Sequence, residues 1–153
     1  MLGLAGALCV LAGAAGAGAP PALAASVSPF AGTALWVDEA PPTSTPEELA
    51  GQAAQAGSRT LWVKAGDGST PDLQFSPALV AGLRAAGVTV CAWTFAYGVD
   101  PAGEAAVAVA AARAGARCLV VDAEEQYDGR YGAAQAYVRA LRAQLGASFP
   151  IGL

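Results

Sequence analysis

The 153-residue sequence has no histidine, only one lysine and no charged side chain before Asp38. Without histidine, catalytic triads that need an imidazole base and metal sites with histidine ligands are excluded. The basic residues are scattered and the net charge is −4, so the chain has no basic stripe of the kind that binds nucleic acid. A glycine-rich phosphate-binding turn, which nucleotide-binding open sheets carry after their first strand, is also missing.

The uncharged N-terminal stretch predicts a secretory signal at residues 1–25. Leu2–Ala12 supplies a short apolar core, and Ala22–Ala24 fits the small-x-small pattern that precedes a cleavage site, here at Ala25. The basic residue expected near the start is absent, so an apolar helix or a single membrane anchor is the alternative. The richness in glycine and alanine and the break at Pro20-Pro21 disfavour a spanning helix.

Residues 26–153 remain after that signal, which is near the usual size of one domain. We expect this domain to be secreted and extracellular, with no stable membrane insertion once the signal is removed. Its cysteines, Cys91 and Cys118, both lie in apolar, strand-like runs and lack zinc-ligand spacing. Two outcomes stay open: a pair of buried thiols, or one disulfide in an exported protein.

Strand-like and helix-like segments alternate along the domain. Helix starts are marked by the capping box Thr45–Glu48, by Ser76-Pro77 and by Asp100-Pro101. The predicted fourth helix, about residues 131–145, carries a stripe that we expect to be buried: Tyr131, Ala134, Val138, Leu141 and Leu145. The predicted strands, which recur at the length of a βα unit, cover residues 33–38, 60–64, 88–95, 117–122 and 149–153.

The pattern predicts an α/β protein with parallel (βα) repeats, and two architectures fit it: the N-terminal half of a (β/α)8 TIM-type barrel, or a doubly wound open parallel sheet. We expect the barrel half, with strands one to five. Charged residues recur at the C-terminal ends of successive strands, where barrels build their sites. The phosphate-binding turn of open sheets is missing. The sequence also stops within an apolar strand, and a whole barrel needs roughly 250 residues, so we expect a truncated chain.

The clearest functional signal is the acidic cluster after the fourth predicted strand. The apolar run Leu119–Val121 leads directly into Asp122, Glu124, Glu125 and Asp128. Asp122 and Glu124 are two residues apart and share one face of an extended chain, where mutual repulsion favours one protonated acid beside one ionised base. Glycoside hydrolysis needs such a pair. A solvated loop is the simpler interpretation of Glu125 and Asp128. The four acids could instead hold Ca²⁺ or Mg²⁺, but we predict no metal and no cofactor.

Other strand ends carry further candidates. Asp38 ends the first strand and would face the same cavity as Asp122, although a turn acid before Pro41-Pro42 fits equally well. For Lys64 we expect an ion pair with Asp38 or Asp122, and a Schiff-base nucleophile is the alternative. Aromatic rings near strand ends suit the apolar faces of sugars, although core packing is their commoner role. The predicted substrate-binding residues are Trp36, Trp62, Trp93, Tyr97 and Lys64.

The order of these motifs resembles family 25 glycoside hydrolases, which are secreted, lysozyme-type muramidases with a barrel-like fold. The resemblance covers about residues 33–125. It rests on Asp38 after strand one, Val63–Gly68 after strand two, Ala92–Ala96 on strand three and Val121–Glu125 on strand four. In that family the corresponding segments carry an aspartate, a Lys-Ala-x-x-Gly turn, a Tyr-His-Phe motif and an Asp-x-Glu pair. Here Trp-Thr-Phe stands in place of Tyr-His-Phe.

The resemblance implies that Glu124 is the proton donor, that Asp122 positions the N-acetyl group of the substrate or stabilises the charge beside it, and that Asp38 lines the same pocket. We therefore expect a secreted glycosidase-like protein that hydrolyses or binds cell-wall or extracellular polysaccharide, such as peptidoglycan. No nucleic-acid partner is expected. The alternative function is that of a non-catalytic carbohydrate-binding barrel.

Overall fold

The computed structural model of the protein describes residues 28–153, so the predicted signal segment lies outside the described residues. The strands of this part are β1 (Ala34–Val37), β2 (Thr60–Asp67), β3 (Thr70–Pro71), β4 (Thr89–Ala96), β5 (Leu119–Ala123) and β6 (Ile151–Gly152). Its helices are α1 (Pro46–Gln55), α2 (Pro77–Ala85), α3 (Pro101–Arg113) and α4 (Tyr131–Leu145), and a 3₁₀ turn covers Glu125–Tyr127. In this part of the chain no helix is both long and apolar enough to cross a membrane.

The strands form one sheet in the order β1-β2-β4-β5-β6, with the short β3 antiparallel to the end of β2. The strands of the main path are all parallel, and a helix lies between each of them and the next in sequence. The predicted α/β class with a parallel sheet is therefore confirmed. The third, fourth and fifth predicted strands correspond to β4, β5 and β6.

The helices pack against one face of the sheet, and this face holds the hydrophobic core. Register places Val37, Val63, Ala92 and Leu119 in one row on that side. Helices α1 and α2 cover the part formed by β1, β2 and β4, while α3 and α4 cover the part formed by β4 and β5. Parallel connections are right-handed, so strands that follow one another in sequential order receive their helices on the same side. The opposite face, which we call the open face, carries the candidate functional residues.

Helix α3 approaches the sheet closely because it is rich in alanine. The pairing of β2 with β4 is irregular between Lys64 and Gly66, and Val107 of α3 packs directly onto this bulge. A β-carbon at position 66 would overlap the Val107 side chain. Glycine is therefore required at this point of the strand, as is common where another element comes close to a bulge.

The predicted helix starts are confirmed. Thr45 and Glu48 form the reciprocal capping box, with Thr45 Oγ1 accepting from the Glu48 N–H and Glu48 Oε2 accepting from the Thr45 N–H. Ser76 caps α2, and Asp100 caps α3. Each cap supplies an acceptor for an N–H group that the first helical turn leaves unpaired.

The predicted buried stripe of α4 was wrong in part. Tyr131 and Val138 are 79% and 48% exposed, whereas Tyr137, which lies outside the predicted stripe, is 3% exposed. Leu141 is buried as expected. The stripe was assigned from the apolar residues alone, whereas the Tyr137 hydroxyl lies 3.4 Å from Thr94 Oγ1 on β4. The amphipathic tyrosine thus occupies the face that turns toward the sheet.

The sequence pattern also missed the hairpin formed by β2 and β3. Strand β2 continues past its predicted end at Lys64 to Asp67, and the chain then turns back through Gly68. Gly68 has a φ of +55°, a backbone conformation that glycine adopts without steric cost. The hairpin extends the edge of the sheet where the candidate residues collect.

Candidate functional site

Residues paired in register project from the same side of a sheet, and the open face accordingly carries three rows of side chains. From the N-terminal to the C-terminal end of the strands, the rows are Trp36, Trp62 and Cys91; Lys64, Trp93 and Val120; and Asp67, Phe95 and Asp122. Four predicted substrate-binding side chains therefore share one face with Asp122.

Lys64 is the centre of a polar network at the C-terminal ends of β1 and β2. Its Nζ lies 3.0 Å from Asp38 Oδ1 and 3.5 Å from Asp67 Oδ2. The expected ion pair with Asp38 is therefore present. The hydrogen bond to Asp38 outweighs the loss of hydration and raises the pKa of Lys64 above its usual 10.5. A nucleophilic lysine needs the opposite shift, so this environment argues against the Schiff-base alternative.

Tyr97, predicted to bind substrate, closes this network on the β4 side. Its hydroxyl donates a hydrogen bond to Asp67 Oδ1 at 2.7 Å, and that bond raises the pKa of Tyr97. Its ring lies against Phe95, with centroids 4.9 Å apart, and against Gly68, where a β-carbon would stand 3.1 Å from the ring. The hairpin is therefore part of the rim of the site.

The tryptophans of the open face form a cluster with Phe30, which precedes β1. The ring centroids of Trp36 lie 4.8 Å from Trp93 and 5.4 Å from Trp62, and the Phe30 ring lies 6.4 Å from Trp62. Trp93 is buried and its indole N–H donates to the Val37 carbonyl at 2.9 Å, so the position of this ring on the open face is fixed. Trp36 remains 43% exposed, which leaves its ring accessible to a ligand.

Asp122 lines a pocket of about 280 Å³ together with Phe30, Trp36 and Trp62. We call this the Asp122 pocket. Gly152 of β6 also lines it, close enough to Phe30 that a β-carbon there would stand 3.1 Å from the ring. Within residues 28–153 the ion pairs are those of Lys64, so Asp122 has no cationic partner in the part of the chain that the structure describes.

The remaining predicted catalytic residues occupy two separate settings. Asp38 is bound to Lys64, and its side chain is 63% exposed. Glu124 follows β5 and is exposed, at the start of the 3₁₀ turn. The structure therefore brings Asp38, Lys64 and Tyr97 into one network and Asp122 into the aromatic pocket. Among the described residues, Glu124 forms no ion pair.

Sequence analysis missed Glu104, a buried carboxylate of α3 that is 2% exposed. It accepts hydrogen bonds from the N–H groups of Tyr97, Gly98 and Val99 at 3.3, 3.2 and 3.2 Å, and from the Tyr127 hydroxyl at 3.1 Å. Glu104 thus fixes the loop that carries Tyr97. Burial and this hydrogen bond hold the pKa of Tyr127 well above its usual value. The available signal was a lone acid in an otherwise uncharged, alanine-rich stretch.

Gln74, in the loop between β3 and α2, was also missed. Its side-chain amide donates to the Asp38 carbonyl at 2.6 Å and accepts from the Ala40 N–H at 2.9 Å. These two bonds hold the loop after β1 against the hairpin. They keep Asp38 within reach of Lys64.

Asp100 joins the hairpin to the start of α3. Ser69 donates to Asp100 Oδ2 at 3.0 Å, and the Gly103 N–H donates to Asp100 Oδ1 at 3.0 Å. These bonds, that of Gly103 first, lower the pKa of Asp100 from its usual 3.8. A carboxyl group whose pKa is lower in the folded than in the unfolded state stabilises the fold above the unfolded pKa. That stabilisation is lost as the pH falls through the folded pKa.

We therefore predict that the folded protein loses stability as the pH falls below 3.8, and that Asp100→Asn flattens this decline. Asparagine remains a good N-cap but does not titrate. Thermal unfolding midpoints measured across the acid range test the prediction. Ser69→Ala removes one of the donors and should flatten the decline in part. A decline as steep in Asp100→Asn as in the wild type would contradict the assignment.

Cys91 and Cys118 form a disulfide, which decides between the two outcomes left open by the sequence. Both residues are fully buried, and their Cα atoms are 4.6 Å apart. The bond joins β4 to the residue before β5, in the row of Trp36 and Trp62. It therefore links covalently the strands that bear Trp93 and Asp122.

In residues 28–153, no group of three or more acidic or cysteine side chains is placed to hold a metal ion. Comparisons of the chain with protein-family models, with curated proteins and with solved structures found no match. Function is therefore inferred from the side chains of the open face.

Proposed function

We propose that this protein is an exported, glycoside-hydrolase-like protein whose open face binds a cell-wall or extracellular polysaccharide. The observation that carries the proposal is the Asp122 pocket, where the rings of Trp36 and Trp62 lie beside a carboxylate. Ligand sites combine apolar and aromatic walls with a few polar groups that fix orientation. Here the rings would pack against the apolar faces of sugar rings, and Asp122 would accept hydrogen bonds from hydroxyl groups.

The sheet is, in this proposal, the first half of a (β/α)8-type barrel, and the open face is the barrel interior. Sequential strand order with helices on one face supports it, because a doubly wound sheet has helices on both faces. Trp36 and Trp93 stand on strands separated by β2, about 9.6 Å apart in a flat sheet. Their ring centroids are 4.8 Å apart, so the two side chains lean toward each other across the open face. The acidic candidates Asp38, Asp122 and Glu124 also lie at or just after strand C-terminal ends, where barrel enzymes carry their sites.

Export is supported by two independent features. The uncharged N-terminal stretch has the pattern of a secretory signal. The disulfide between Cys91 and Cys118 is of the kind that persists in oxidising compartments outside the cytosol. An extracellular polysaccharide is therefore a substrate that the protein would meet.

For hydrolysis, Glu124 donates a proton to the leaving glycosidic oxygen, and Asp122 stabilises the positive charge that develops on the sugar ring. We predict that Glu124→Gln lowers the rate of sugar release at least ~100-fold, which is the usual contribution of a general acid. An amide has no such proton to donate, and binding should survive. Reducing-end release from peptidoglycan fragments measures turnover, and isothermal titration measures binding.

Glu125→Gln is the matched control, because Glu125 is the next residue and is also exposed. It should retain turnover. Full turnover by Glu124→Gln would show that the proton donor was wrongly assigned. Trp36→Ala should weaken polysaccharide binding both in the wild type and in the Glu124→Gln variant, since it removes the accessible ring of the pocket.

A non-catalytic, polysaccharide-binding function is the second candidate. It is favoured by the separation of the acids, because Asp38 is bound to Lys64 while Asp122 lies in the aromatic pocket. In that case the wild-type protein binds fragments and releases no sugar. The same pair of assays distinguishes the two candidates.

A further inference from the structure

The Asp122 pocket is walled by aromatic rings that stand at steep angles to one another. The Phe30 and Trp62 planes meet at 76°, and the Trp36 and Trp62 planes meet at 67°. Rings in a flat row would offer one long stacking platform. Rings at these angles pack edge to face, and together with Val120 and Asp122, the one charged residue of the lining, they surround the pocket.

The charges of the open face favour a positively charged ligand. Three carboxylates, those of Asp38, Asp67 and Asp122, lie near the C-terminal ends of the strands, together with the single ammonium group of Lys64. Lys64 serves Asp38 and Asp67. Residues 1–27, which the structure does not describe, contain no lysine or arginine. Of these three acids, Asp122 is therefore the one without a basic partner.

The open face already holds a cation against an aromatic ring. The Lys64 ammonium lies 5.0 Å from the centroid of the Trp93 ring, within the range of a cation–π contact. Trp93 in turn contacts Trp36, which is the beginning of the Asp122 pocket. A second ammonium group in that pocket would repeat an arrangement that the chain itself uses one row away.

One polar hydrogen of the pocket residues has no acceptor. The indole N–H of Trp62 is buried and unpaired among the described residues. A buried donor without an acceptor costs free energy, and a ligand oxygen would recover it once the ring turns its N–H toward the pocket. A ligand that carries hydroxyl groups beside its ammonium group would therefore suit this site better than a simple alkylammonium ion.

We propose that the Asp122 pocket binds a protonated amine, and that the recognised group in the polysaccharide is an amino sugar whose amine is not acetylated. The aromatic rings that line the pocket attract the ammonium group where it lies over a ring face, and Asp122 accepts its charge-assisted hydrogen bonds. An N-acetylated sugar is neutral and bulkier at that position, so it loses the cation–π contact and offers Asp122 a single amide N–H in place of an ammonium group. The choice of sugar rests on the proposed function, whereas the ammonium preference rests on the pocket alone.

The test compares two tetrasaccharides that differ only in acetylation: a glucosamine tetramer and an N-acetylglucosamine tetramer. Isothermal titration at one ionic strength, with salt held constant because it screens charge, should give at least tenfold tighter binding of the glucosamine tetramer. Asp122→Asn and Trp36→Leu should each weaken that binding at least tenfold. Equal or tighter binding of the acetylated tetramer would overturn the inference and leave the polysaccharide proposal standing.

The control variants also remove one aromatic ring or one negative charge, but at exposed positions away from the pocket. Tyr131→Leu removes an exposed ring on α4, and Glu47→Gln neutralises an exposed acid on α1. Both should bind the glucosamine tetramer as the wild type does. Far-ultraviolet circular dichroism of all four variants shows whether each is folded. If folded Asp122→Asn binds no more weakly than Glu47→Gln, the assignment of Asp122 is wrong.

A second ligand pair separates the inference from the function on which it rests. 2-Aminoethanol, which is protonated at neutral pH, and propan-1-ol have the same shape and hydroxyl group and differ in an ammonium group against a methyl group. If neither tetrasaccharide binds, the amino-sugar assignment fails, and this pair decides the ammonium site, while binding of peptidoglycan fragments decides the polysaccharide proposal. Binding of 2-aminoethanol without binding of propan-1-ol supports the site, and the absence of any difference between them overturns it.

Discussion

Replacing Glu104 with alanine is expected to lower the free energy of unfolding by about 3 kcal/mol, since it leaves one buried and three partly buried donors without their acceptor. The carboxylate accepts from three successive backbone N–H groups and from the Tyr127 hydroxyl. Gly98 is buried, so its N–H has no ready access to water. Urea unfolding of wild type and variant measures the loss.

Glu47→Ala is the control for this experiment, because Glu47 is exposed in the first turn of α1. Its effect should stay within about 0.5 kcal/mol. The pKa of Tyr127 offers an independent readout. It should fall in Glu104→Ala, since the variant loses the acceptor while burial persists, and an ultraviolet absorbance titration detects this. Equal unfolding free energies for the two variants would show that water replaces Glu104.

Removing the disulfide is expected to cost about 3.5 kcal/mol of folding stability, according to the entropy of closing a loop of this length. The linked cysteines are 27 residues apart, and both are buried. The double variant Cys91→Ala, Cys118→Ala removes the bond without leaving a reactive thiol. Its urea midpoint should fall well below that of the oxidised wild type.

A reductant provides the control. It should destabilise the wild type toward the level of the double variant and leave the double variant unchanged. A wild type and double variant with equal stability would mean that the bond stores no folding free energy. If the double variant loses binding of the glucosamine tetramer at temperatures where it remains folded, the bond also sets the distance between β4 and β5.

Local sequence signals predicted the order and type of the main elements because each signal has a short-range physical cause. The capping box at Thr45 and Glu48 needs only residues within one helical turn. The apolar runs that form β2, β4 and β5 predicted strands inside a parallel sheet, because such strands are buried and therefore apolar along their length. The ion pair of Lys64 with Asp38 was also foreseeable, because neighbouring parallel strands end at the same edge.

Features that depend on distant partners were not predictable. Strand β3 is two residues long and contains Pro71, so it has no period of its own. The role of Glu104 depends on where the loop after β4 passes. The orientation of α4 depends on a contact between Tyr137 and Thr94, which are 43 residues apart. Similarly, the angles between Phe30, Trp36 and Trp62 depend on packing between residues that are distant in sequence, which no local pattern encodes.

The position of the disulfide within the sheet has a consequence for how the protein opens. Strands β4 and β5 lie inside the sheet, with neighbours on both sides, and are the pair that the bond locks together. The outermost strands β1 and β6 have one paired edge each in the described part of the chain. Fluctuations should fray the sheet from those margins inward, so backbone amides of β4 and β5 should exchange with solvent deuterium last. Trp36 would loosen with β1, while Trp93 and Asp122 would stay in place.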